Sequence, residues 1–515
     1  MEISLPSLVQ QMLQPEFYPH PVAEPIKLLQ THISYVFLTG DHVYKVKKSI
    51  KFGFLDFSTL ALRSHFCQEE LRLNRRLAPD LYLSVLPITQ DPSTAEFHLN
   101  ASGSAVEYAV QMRQFQQSGL ELFERGQLTA ATMQALGKQI AHFHQMAATN
   151  AEICANGSVA SVCEIDENNF QLSLPFVGRT QTERQFEQTY DFIKRFVHEH
   201  EDWYVQRQAE GKIRDCHGDL HLNNLCLFQD RIQVFDCIEF NTEFRHIDCI
   251  YDVAFLVMDL EFRKRPDLAN AFLNTYLERT GDYWGVVMLP PYLAMRAYIR
   301  GNVNSLGLND LAISAEQKQS LEDEARAYYR LAWQYTQRSQ GRLFLMSGLS
   351  GSGKSTVARQ LAAQINAIQI RSDAVRKHLA GLPLEQKGTD EIYTPEMTEK
   401  TYGRLLELGM FLARQGWSVI LDAKYDRQGF RGDAIASANQ YKIPLQILHC
   451  TAPMEVICDR LRHRRGDIAD ATVDLLAQQQ QQAEMFSEEE QKYVNTIATQ
   501  NEISFPEKFF AADKA

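Results

Sequence analysis

Residues 348–355 read Gly-Leu-Ser-Gly-Ser-Gly-Lys-Ser and satisfy the phosphate-loop (P-loop) pattern GxxxxGK[ST] in full. An apolar strand is predicted before the loop and a helix after it, which is the context that this pattern requires. Glycines let backbone N–H groups turn toward bound phosphates, while Lys354 reaches the β- and γ-phosphates and Ser355 can hold Mg²⁺. We therefore assign nucleotide binding to this set: Gly348, Gly351, Gly353, Lys354, Ser355 and Thr356.

Two carboxylates downstream of this loop are candidates for the chemistry itself. Asp373 follows the second predicted strand of the region, where a carboxylate can accept the proton of a substrate hydroxyl. The alternative for Asp373 is the N-cap of a helix over 374–380. Asp422 closes the third predicted strand and is a candidate Mg²⁺ ligand, the alternative being an ordinary turn residue at a strand end.

Three arginines, Arg460, Arg464 and Arg465, precede a Gly466-Asp pair. Arginines on a mobile lid would neutralise the charge that spreads over a phosphoryl group in transfer. We choose Arg464 as the catalytic candidate, although the pattern does not say which arginine acts. The alternative is a solvated basic helix end that complements the helix dipole.

A second phosphate-handling pattern lies upstream, in the sequence His-Gly-Asp-Leu-His-Leu-Asn-Asn at 217–224. In phosphoryl transfer of the kinase type, an Asp accepts the hydroxyl proton and an Asn five residues later holds Mg²⁺. Asp219 and Asn224 have that spacing. A predicted hairpin over 225–235 then leads to Asp236, which is placed to chelate the metal and the triphosphate. His217 would brace the loop.

An early predicted hairpin over 32–48 should supply the lysine of this second site. Lys45 is our candidate, and Lys47, which points to the same face of the strand, is a competitor. A predicted helix over 58–77, with Ser58 as its N-cap, should supply the pairing acid, for which we choose Glu70 ahead of Glu69. The alternative for these residues is a solvated charged surface.

The elements around these motifs predict three regions. Residues 1–118 form a small strand-rich lobe, residues 119–335 are mostly helical, and residues 341–515 alternate strand and helix. Such alternation indicates a parallel sheet with helices on both faces. The charged stretch 315–340 is predicted as a helix that could act as a rigid connector.

The pattern of residues 217–224 with Asp236 resembles the aminoglycoside phosphotransferase family over about 25–335, which implies an α+β, protein-kinase-like fold of two lobes. Asp252-Val-Ala matches a position that braces the catalytic loop in that family. Two departures are the absence of a glycine-rich loop before the hairpin and Asp236-Cys-Ile in place of Asp-Phe-Gly.

The P-loop of residues 348–355 and the residues that follow it resemble small P-loop kinases of the polynucleotide-kinase, gluconate-kinase and zeta-toxin kind over about 341–500. That resemblance implies that Asp373 faces the phosphate acceptor and that Arg376 holds the substrate. The order of the two parts resembles fused aminoglycoside-phosphotransferase / P-loop ATP-binding proteins.

Composition limits the remaining possibilities. A chain of 515 residues is too long for one core, and a net charge of −12 argues against a partner such as nucleic acid or an anionic membrane. Neither a signal peptide nor a membrane span is predicted. The nine cysteines form no CxxC pair and are interpreted as free thiols in a reducing cytoplasm.

The sequence therefore predicts a cytoplasmic, bifunctional kinase that uses ATP and Mg²⁺ at two sites and phosphorylates hydroxyl groups of small molecules. In one alternative, a domain is an ATP-binding regulatory module that gates the other, which would require domain–domain coupling. In another, the protein is a toxin–antitoxin-like nucleotide-binding module. The carboxylates Asp219 and Asp373 favour the kinase, because a pure nucleotide sensor has no need of them.

Overall fold

The computed structural model describes residues 5–53, 55–310, 313–337 and 339–510. The chain divides into two compact units. The first comprises residues 1–128, 146–162 and 202–256, and the second comprises residues 129–145, 163–201 and 257–515. The boundaries that the sequence suggests for separable domains, at 118/119 and 335/341, stay predictions. Within the described residues, no helix combines the length and apolar character of a membrane span.

The first unit is built on a six-stranded antiparallel sheet. Its strands, in spatial order, are Lys27–Gln30, Ser34–Leu38, His42–Lys47, Ala105–Arg113, Tyr82–Gln90 and Phe97–Leu99. The predicted early hairpin is confirmed, since Ser34–Leu38 pairs with His42–Lys47 and sets Val36 opposite Lys45. This register places Lys45 and Lys47 on one face of the sheet.

The helix Leu60–Asn74 confirms the predicted helix, but its N-cap is Thr59 and not Ser58. The Thr59 side chain accepts a hydrogen bond from the Leu62 amide, which satisfies one of the free N–H groups at the helix start. Ser58 instead bonds the carboxylate of Asp56. Ser and Thr are both favoured N-cap residues, so the sequence alone does not show which of these two neighbours caps the helix.

The remaining elements of the first unit form the surroundings of the His217 loop. Strands Leu225–Phe228 and Arg231–Val234 make the predicted second hairpin, and Gln229 and Asp230 in its turn both have positive φ. Short polar residues tolerate this conformation, which two-residue hairpin turns require. Short strands and helices complete the unit: Gln117–Ser118, Ile213–Asp215, His246–Asp248, Ser7–Gln11, Gly119–Glu124, Ala151–Ala155 and Glu201–Ala209. Three further helices run across the unit boundaries: Ala130–Met146, Val159–Ser173 and Cys249–Phe262.

The second unit begins with long helices and continues into the P-loop region. The helices are Glu183–Glu199, Pro266–Thr280, Leu289–Gly307 and Ala315–Tyr335. The last of these confirms the predicted helix, ends at Tyr335 and packs against its neighbours, while its role as a rigid connector stays a prediction. Its Tyr328 and Tyr329 are buried, and Tyr329 lies edge-on to Tyr298 of the helix Leu289–Gly307.

The P-loop region contains a five-stranded sheet in which every pair is parallel, as predicted. Its strands, in spatial order, are Ile368–Arg371, Ser418–Asp422, Arg342–Ser347, Leu445–Thr451 and Val494–Ala498. Its helices are Lys354–Ile365, Ser372–Leu379, Pro395–Arg414, Gln428–Gln440, Met454–His463, Leu476–Gln482 and Glu488–Gln491. The strand Arg342–Ser347 is almost wholly buried, as expected where helices cover a parallel sheet. The carboxyl ends of such strands are where ligands collect, and the P-loop follows one of them.

Candidate active sites

In the first unit, strand His42–Lys47, helix Leu60–Asn74 and Asp236 meet around two lysines. The Lys45 Nζ lies 2.9 Å from Glu70 Oε1 and 2.6 Å from Asp236 Oδ1. Lys47 Nζ lies 2.7 Å from the other oxygen of Glu70 and also contacts Glu239. The structure thus brings Lys45, Glu70 and Asp236 together, while Lys47 pairs with Glu70 and Glu239.

The charge balance of this cluster favours ionised groups. Burial alone would raise the pKa of the Glu70 carboxyl, but the ammonium groups of Lys45 and Lys47 lower it to about 2. Burial would lower the pKa of Lys45, but the carboxylates of Asp236, Glu70 and Glu239 raise it well above its usual range. Glu69, the second choice from the sequence, instead pairs with Arg72 on the same helix at 2.7 Å.

The loop at 217–224 is held from below by Asp252. Its carboxylate accepts hydrogen bonds from the backbone N–H groups of His217, at 3.1 Å, and Gly218, at 2.8 Å. His217 bonds the Phe235 carbonyl through Nε2 at 2.9 Å, and burial lowers its pKa. The bracing that the family resemblance implies for Asp252 is therefore present in the structure.

Asp219 and Asn224 are brought together at the top of this loop. Asn224 Nδ2 donates to Asp219 Oδ2 at 2.8 Å and to the Asp219 carbonyl at 2.9 Å. The Asp219 side chain is about one-third exposed, at 34%. It can accept a proton from a substrate hydroxyl, while the Asn224 oxygen is available for a metal ion.

Asp236 stands at a strained backbone position, with φ of 61°. Its amide donates to the Tyr82 hydroxyl at 3.3 Å, and its carboxylate is 42% exposed. A carboxylate held in this way can bind Mg²⁺ together with Asn224.

Sequence reasoning missed three residues of this site: Tyr82, His221 and Glu239. His221 Nε2 lies 3.3 Å from Asp219 Oδ2, and the residue was already visible inside the quoted loop. Glu239 follows Asp236 by three positions, but no local pattern links it to Lys47. Tyr82 carries no sequence signal, because its contact depends on the packing of the sheet.

In the second unit, the P-loop has the backbone conformation that phosphate binding needs. Gly348, Gly351 and Gly353 have φ of 131°, 80° and 92°. A Cβ atom at Gly348 would lie 2.4 Å from the Cys450 carbonyl, so a side chain is excluded there. Lys354 opens the helix Lys354–Ile365, with Ser355 and Thr356 in its first turn.

Lys354 and the Ser350 amide of this loop make hydrogen bonds within the protein. Lys354 Nζ donates to the carbonyls of Gly348, at 2.9 Å, and Leu349, at 2.8 Å. Burial lowers the pKa of Lys354. The Ser350 N–H donates to the side-chain oxygen of Gln479 at 3.1 Å. Gln479 lies on the helix Leu476–Gln482, which this hydrogen bond attaches to the loop.

The two candidate carboxylates lie at neighbouring strand ends. Asp422 ends its strand, is buried and accepts a hydrogen bond from Gln369 Nε2 at 2.8 Å. Asp373 is the second residue of the helix Ser372–Leu379, whose N-cap is Arg371 without a side-chain cap. The N-cap alternative for Asp373 is therefore wrong. Burial raises the pKa of Asp373, and Asp422 and Asp467 raise it further, against the opposing effect of Arg371.

The arginines of this region separate into different environments. Arg460 donates to the hydroxyl and the carbonyl of Thr499, both at 2.8 Å, and Thr499 in turn bonds the Ser352 carbonyl of the P-loop. Arg464 follows the helix Met454–His463 and donates to the Ala471 carbonyl. Arg465 bonds neighbouring carbonyls of its own turn.

Arg376, the residue that the resemblance assigns to substrate binding, is buried. It donates to the Ile392 carbonyl at 2.8 Å and lies over the Tyr393 ring at 5.1 Å from the centroid. These contacts join the helix Ser372–Leu379 to the segment around 390–393. Arg376 thus holds that segment, and its charge opposes the rise in the pKa of Asp373.

Family models match two stretches of the chain that contain these two sites. A model described as a phosphotransferase enzyme family matches residues 65–289, and one described as an AAA domain matches residues 343–486. The first stretch holds Asp219, Asn224 and Asp236, and the second holds the P-loop with Asp373 and Asp422. Two different families thus account for the two phosphate-binding patterns.

Individual proteins are also similar to this chain. A choline/ethanolamine kinase family protein from Mesorhizobium loti is 14% identical, covers 64% of this chain and 98% of its own, and has a TM-score of 0.38. A sugar kinase from Janibacter sp. HTCC2649 is 24% identical, covers 33% of this chain and 90% of its own, and has a TM-score of 0.24. An uncharacterized protein of Mycobacterium tuberculosis (strain ATCC 25618 / H37Rv) is 31% identical over 466 residues, which cover 89% of this chain and 90% of that protein. This chain belongs to the same family as the mycobacterial protein, and it is a kinase that joins an aminoglycoside-phosphotransferase-like domain to a P-loop ATP-binding domain.

Proposed function

We propose that the protein is a bifunctional, cytoplasmic kinase with two ATP sites, each transferring the γ-phosphate to a hydroxyl group of a small molecule. The observation that carries this proposal is that each phosphate-binding group has its own carboxylates. Asp219 lies beside Asn224 in the first site, and Asp373 and Asp422 lie at neighbouring strand ends in the second. A nucleotide sensor would need the phosphate-binding groups alone.

In the first site, Lys45, held by Glu70, would contact the ATP phosphates, and Asn224 and Asp236 would hold Mg²⁺. Asp219 would accept the proton from the acceptor hydroxyl as its oxygen attacks the γ-phosphorus. Bound Mg²⁺ would neutralise charge on the phosphate oxygens. The nearby His221, whose Nε2 lies 3.3 Å from Asp219 Oδ2, would help to orient that carboxylate.

In the second site, the P-loop amides and Lys354 would hold the phosphates, and Ser355 and Asp422 would hold Mg²⁺. Asp373 would be the base, and its raised pKa suits proton transfer, because a carboxylate of higher pKa is a stronger base. Arg464 would act from the lid and Arg376 on the acceptor. The acceptors are hydroxyl-bearing small molecules.

The proposal is tested by screening phosphate acceptors with γ-labelled ATP on the full chain and on two variants. Lys354→Ala should abolish labelling of one set of acceptors, and Asp219→Asn should abolish labelling of a different set. Labelling of every acceptor by both variants, or by neither, would contradict two independent transfer sites.

A regulatory role for one site is the second candidate function, and the contact of Gln479 with the Ser350 amide favours it. An amide already bonded within the protein is a feature of a loop that opens before it binds nucleotide. If Lys354→Ala changed the rate of transfer at the Asp219 site without removing any acceptor, the P-loop would act as a regulator.

A further inference from the structure

The helix Pro266–Thr280 lies against the edge strand of the P-loop sheet, although it precedes that region in the chain. Asn270 and Asn274 each donate through Nδ2 to the Ala367 carbonyl at 2.9 Å. Asn274 also accepts a hydrogen bond from the Gln369 amide at 2.8 Å. Edge strands expose unpaired backbone groups, and these two side chains pair with them here. The helix is therefore an integral boundary of the sheet.

The C-terminal end of the same helix contacts residues that lie on either side of Asp373, the proposed base of the P-loop site, in the sequence. Glu278 Oε2 accepts a hydrogen bond from Arg371 Nη1 at 3.2 Å, and the Glu278 carbonyl lies 2.9 Å from His378 Nε2. The adjacent Arg279 pairs with Glu385. The helix thus contacts both ends of the helix Ser372–Leu379, which carries Asp373.

Arg371 lies close to three carboxylates, those of Glu278, Asp422 and Asp467. Its guanidinium also donates to Asp467 Oδ1 at 2.5 Å and lies 3.8 Å from Asp422 Oδ2. Only 11% of its side chain is exposed. Burial opposes the charge, but the carboxylates of Glu278, Asp467 and Asp422 raise the pKa of Arg371, so it is a permanent cation. One cation therefore links the helix, the metal-binding strand end and the residue Asp467.

Tyr283, in the turn after the helix, lies beside the same charges. Its hydroxyl is buried and has no hydrogen-bond partner among the residues that the structure describes. Burial raises the pKa of this hydroxyl, and the negative charge of Glu278 adds to the effect. The Tyr283 hydroxyl is thus a second group from this part of the chain that lies near Glu278 and Arg371.

We propose that Glu278 is a positioning residue of the P-loop site. Through Arg371 it holds Asp467, and with it the lid segment, which we define as residues 464–475. The helix Pro266–Thr280 then forms one wall of the site, and lid closure depends on an element outside the region that the AAA-domain model matches. The part of the inference that concerns catalysis rests on the proposed function, while the part that concerns the lid does not.

Glu278→Gln is the informative substitution, because it removes one charge without leaving Arg371 uncompensated. Asp422 and Asp467 remain near the guanidinium, so the chain should fold. The lid should lose its anchor, since the amide of Gln cannot match a carboxylate as a partner for Arg371. Lid segments exclude water and complete the site, so their loss of order reduces turnover more than it reduces nucleotide binding.

The experiment compares the full chain with Glu278→Gln, Asp467→Asn and the double variant in the presence of Mg·ADP. The readout is the rate of tryptic cleavage at Arg462, Arg464 and Arg465, and thermal melts check the fold. We expect each single variant to be cleaved about tenfold faster and the double variant no faster than either, because both remove the same link. Unchanged cleavage in Glu278→Gln, or multiplying effects in the double variant, would overturn the proposal.

A matched control is Asp267→Asn, at the other end of the same helix, where Asp267 pairs with the neighbouring Arg265. Its cleavage rate should equal that of the parent chain. A second readout is ATP turnover in an Asp219→Asn background, where Glu278→Gln should lower kcat about tenfold and change the KM for ATP less than about twofold. If the background chain shows no turnover, the proposed function fails for the P-loop site, and the cleavage rates still decide the role of Glu278.

Discussion

The two candidate phosphate-binding regions of this protein are built from different kinds of contact. In the first unit, the contacts are between side chains far apart in sequence, and Lys45 and Asp236 are separated by 191 positions. In the second unit, a short loop supplies backbone N–H groups, and Lys354 bonds a carbonyl six positions away. One site is assembled by tertiary packing, and the other is formed largely by a single loop.

This difference teaches where each site is vulnerable. A loop that depends on glycine conformations needs few contacts with the rest of the fold. Its nucleotide affinity should therefore depend on the groups that contact it, which are Gln479 and, in our proposal, the lid segment. A site built on buried charges depends on the balance among Lys45, Lys47, Glu70, Asp236 and Glu239. Removing one charge from that set affects stability as well as binding.

The largest expected effect tests the division of roles within the first site, where the base and the metal-binding carboxylate are different residues. Asp219→Asn should lower transfer at the first site by about 10²–10⁴-fold and spare ATP binding, because the base acts on the acceptor and not on the nucleotide. Asp236→Asn should instead weaken Mg²⁺–ATP binding. Acceptor labelling and calorimetry on the full chain measure the two quantities, and an equal loss of binding in both variants would refute this division of roles.

The next effect concerns the buried charges of the first site. Glu70→Gln should lower the free energy of unfolding by about 3 kcal/mol, since two buried ammonium groups lose a shared partner. Because the pKa of Glu70 is lowered to about 2, its contribution is present above the pKa of an unfolded glutamate, about 4.3, and is lost as the pH falls through about 2.

Glu69→Gln is the control, because Glu69 lies on the partly exposed face and pairs only with Arg72 on its own helix. Its effect on unfolding should stay within about 0.5 kcal/mol. Denaturant titration of both variants measures the contrast. Equal destabilisation would mean that the buried cluster does not set the stability of the first unit.

A third effect has the opposite sign and concerns the second site. The pKa of Asp373 is raised, so the folded protein binds this proton more tightly than the unfolded chain does, and stability rises as the pH falls through the raised value. At neutral pH the charged carboxylate is therefore unfavourable. Asp373→Asn should be more stable than the parent by on the order of 1 kcal/mol at pH 7, and the gain should vanish in acid.

Loss of turnover together with this gain in stability would identify Asp373 as a residue kept for function. Thermal melts at several pH values and single-turnover transfer assays measure the two properties. Normal turnover in Asp373→Asn would refute its assignment as the base.

The smallest effect tests what covers the P-loop. Gln479→Ala frees the Ser350 amide and should tighten nucleotide binding at this loop by about 2–10-fold, the worth of one hydrogen bond. Gln480→Ala, on the exposed face of the same helix, should change nothing. Calorimetry with Mg·ATP measures both, and equal affinities would show that the Gln479 contact does not compete with phosphate.

Several features could be predicted from the sequence because they depend on local chemistry. The P-loop is specified by the glycines and Lys354 within eight positions, and the parallel sheet around it by alternating apolar strands and helices. The hairpin 225–235 follows from residues that tolerate positive φ at its turn. The motif spacing of Asp219 and Asn224 likewise predicted that they meet.

Other features were decided by packing at long range, and local patterns could not reveal them. Both lysines of one strand face inward, and only the positions of Glu70, Asp236 and Glu239 separate the roles of Lys45 and Lys47. The N-cap alternative for Asp373 was open until the backbone showed where the helix begins. The pairing of Glu278 with Arg371 joins residues 93 positions apart.

The sequence by itself determined that this protein has two phosphate-binding patterns, which residues form their loops, and which fold classes contain them. A glycine conformation or an apolar alternation acts within a few residues, and its physical cause is present in the local sequence. Only the tertiary structure decided which charges share a buried partner, that Gln479 bonds the Ser350 amide of the P-loop, and that Glu278 pairs with Arg371. Electrostatic and hydrogen-bond energies depend on distances between segments, and those distances exist only after the chain has folded.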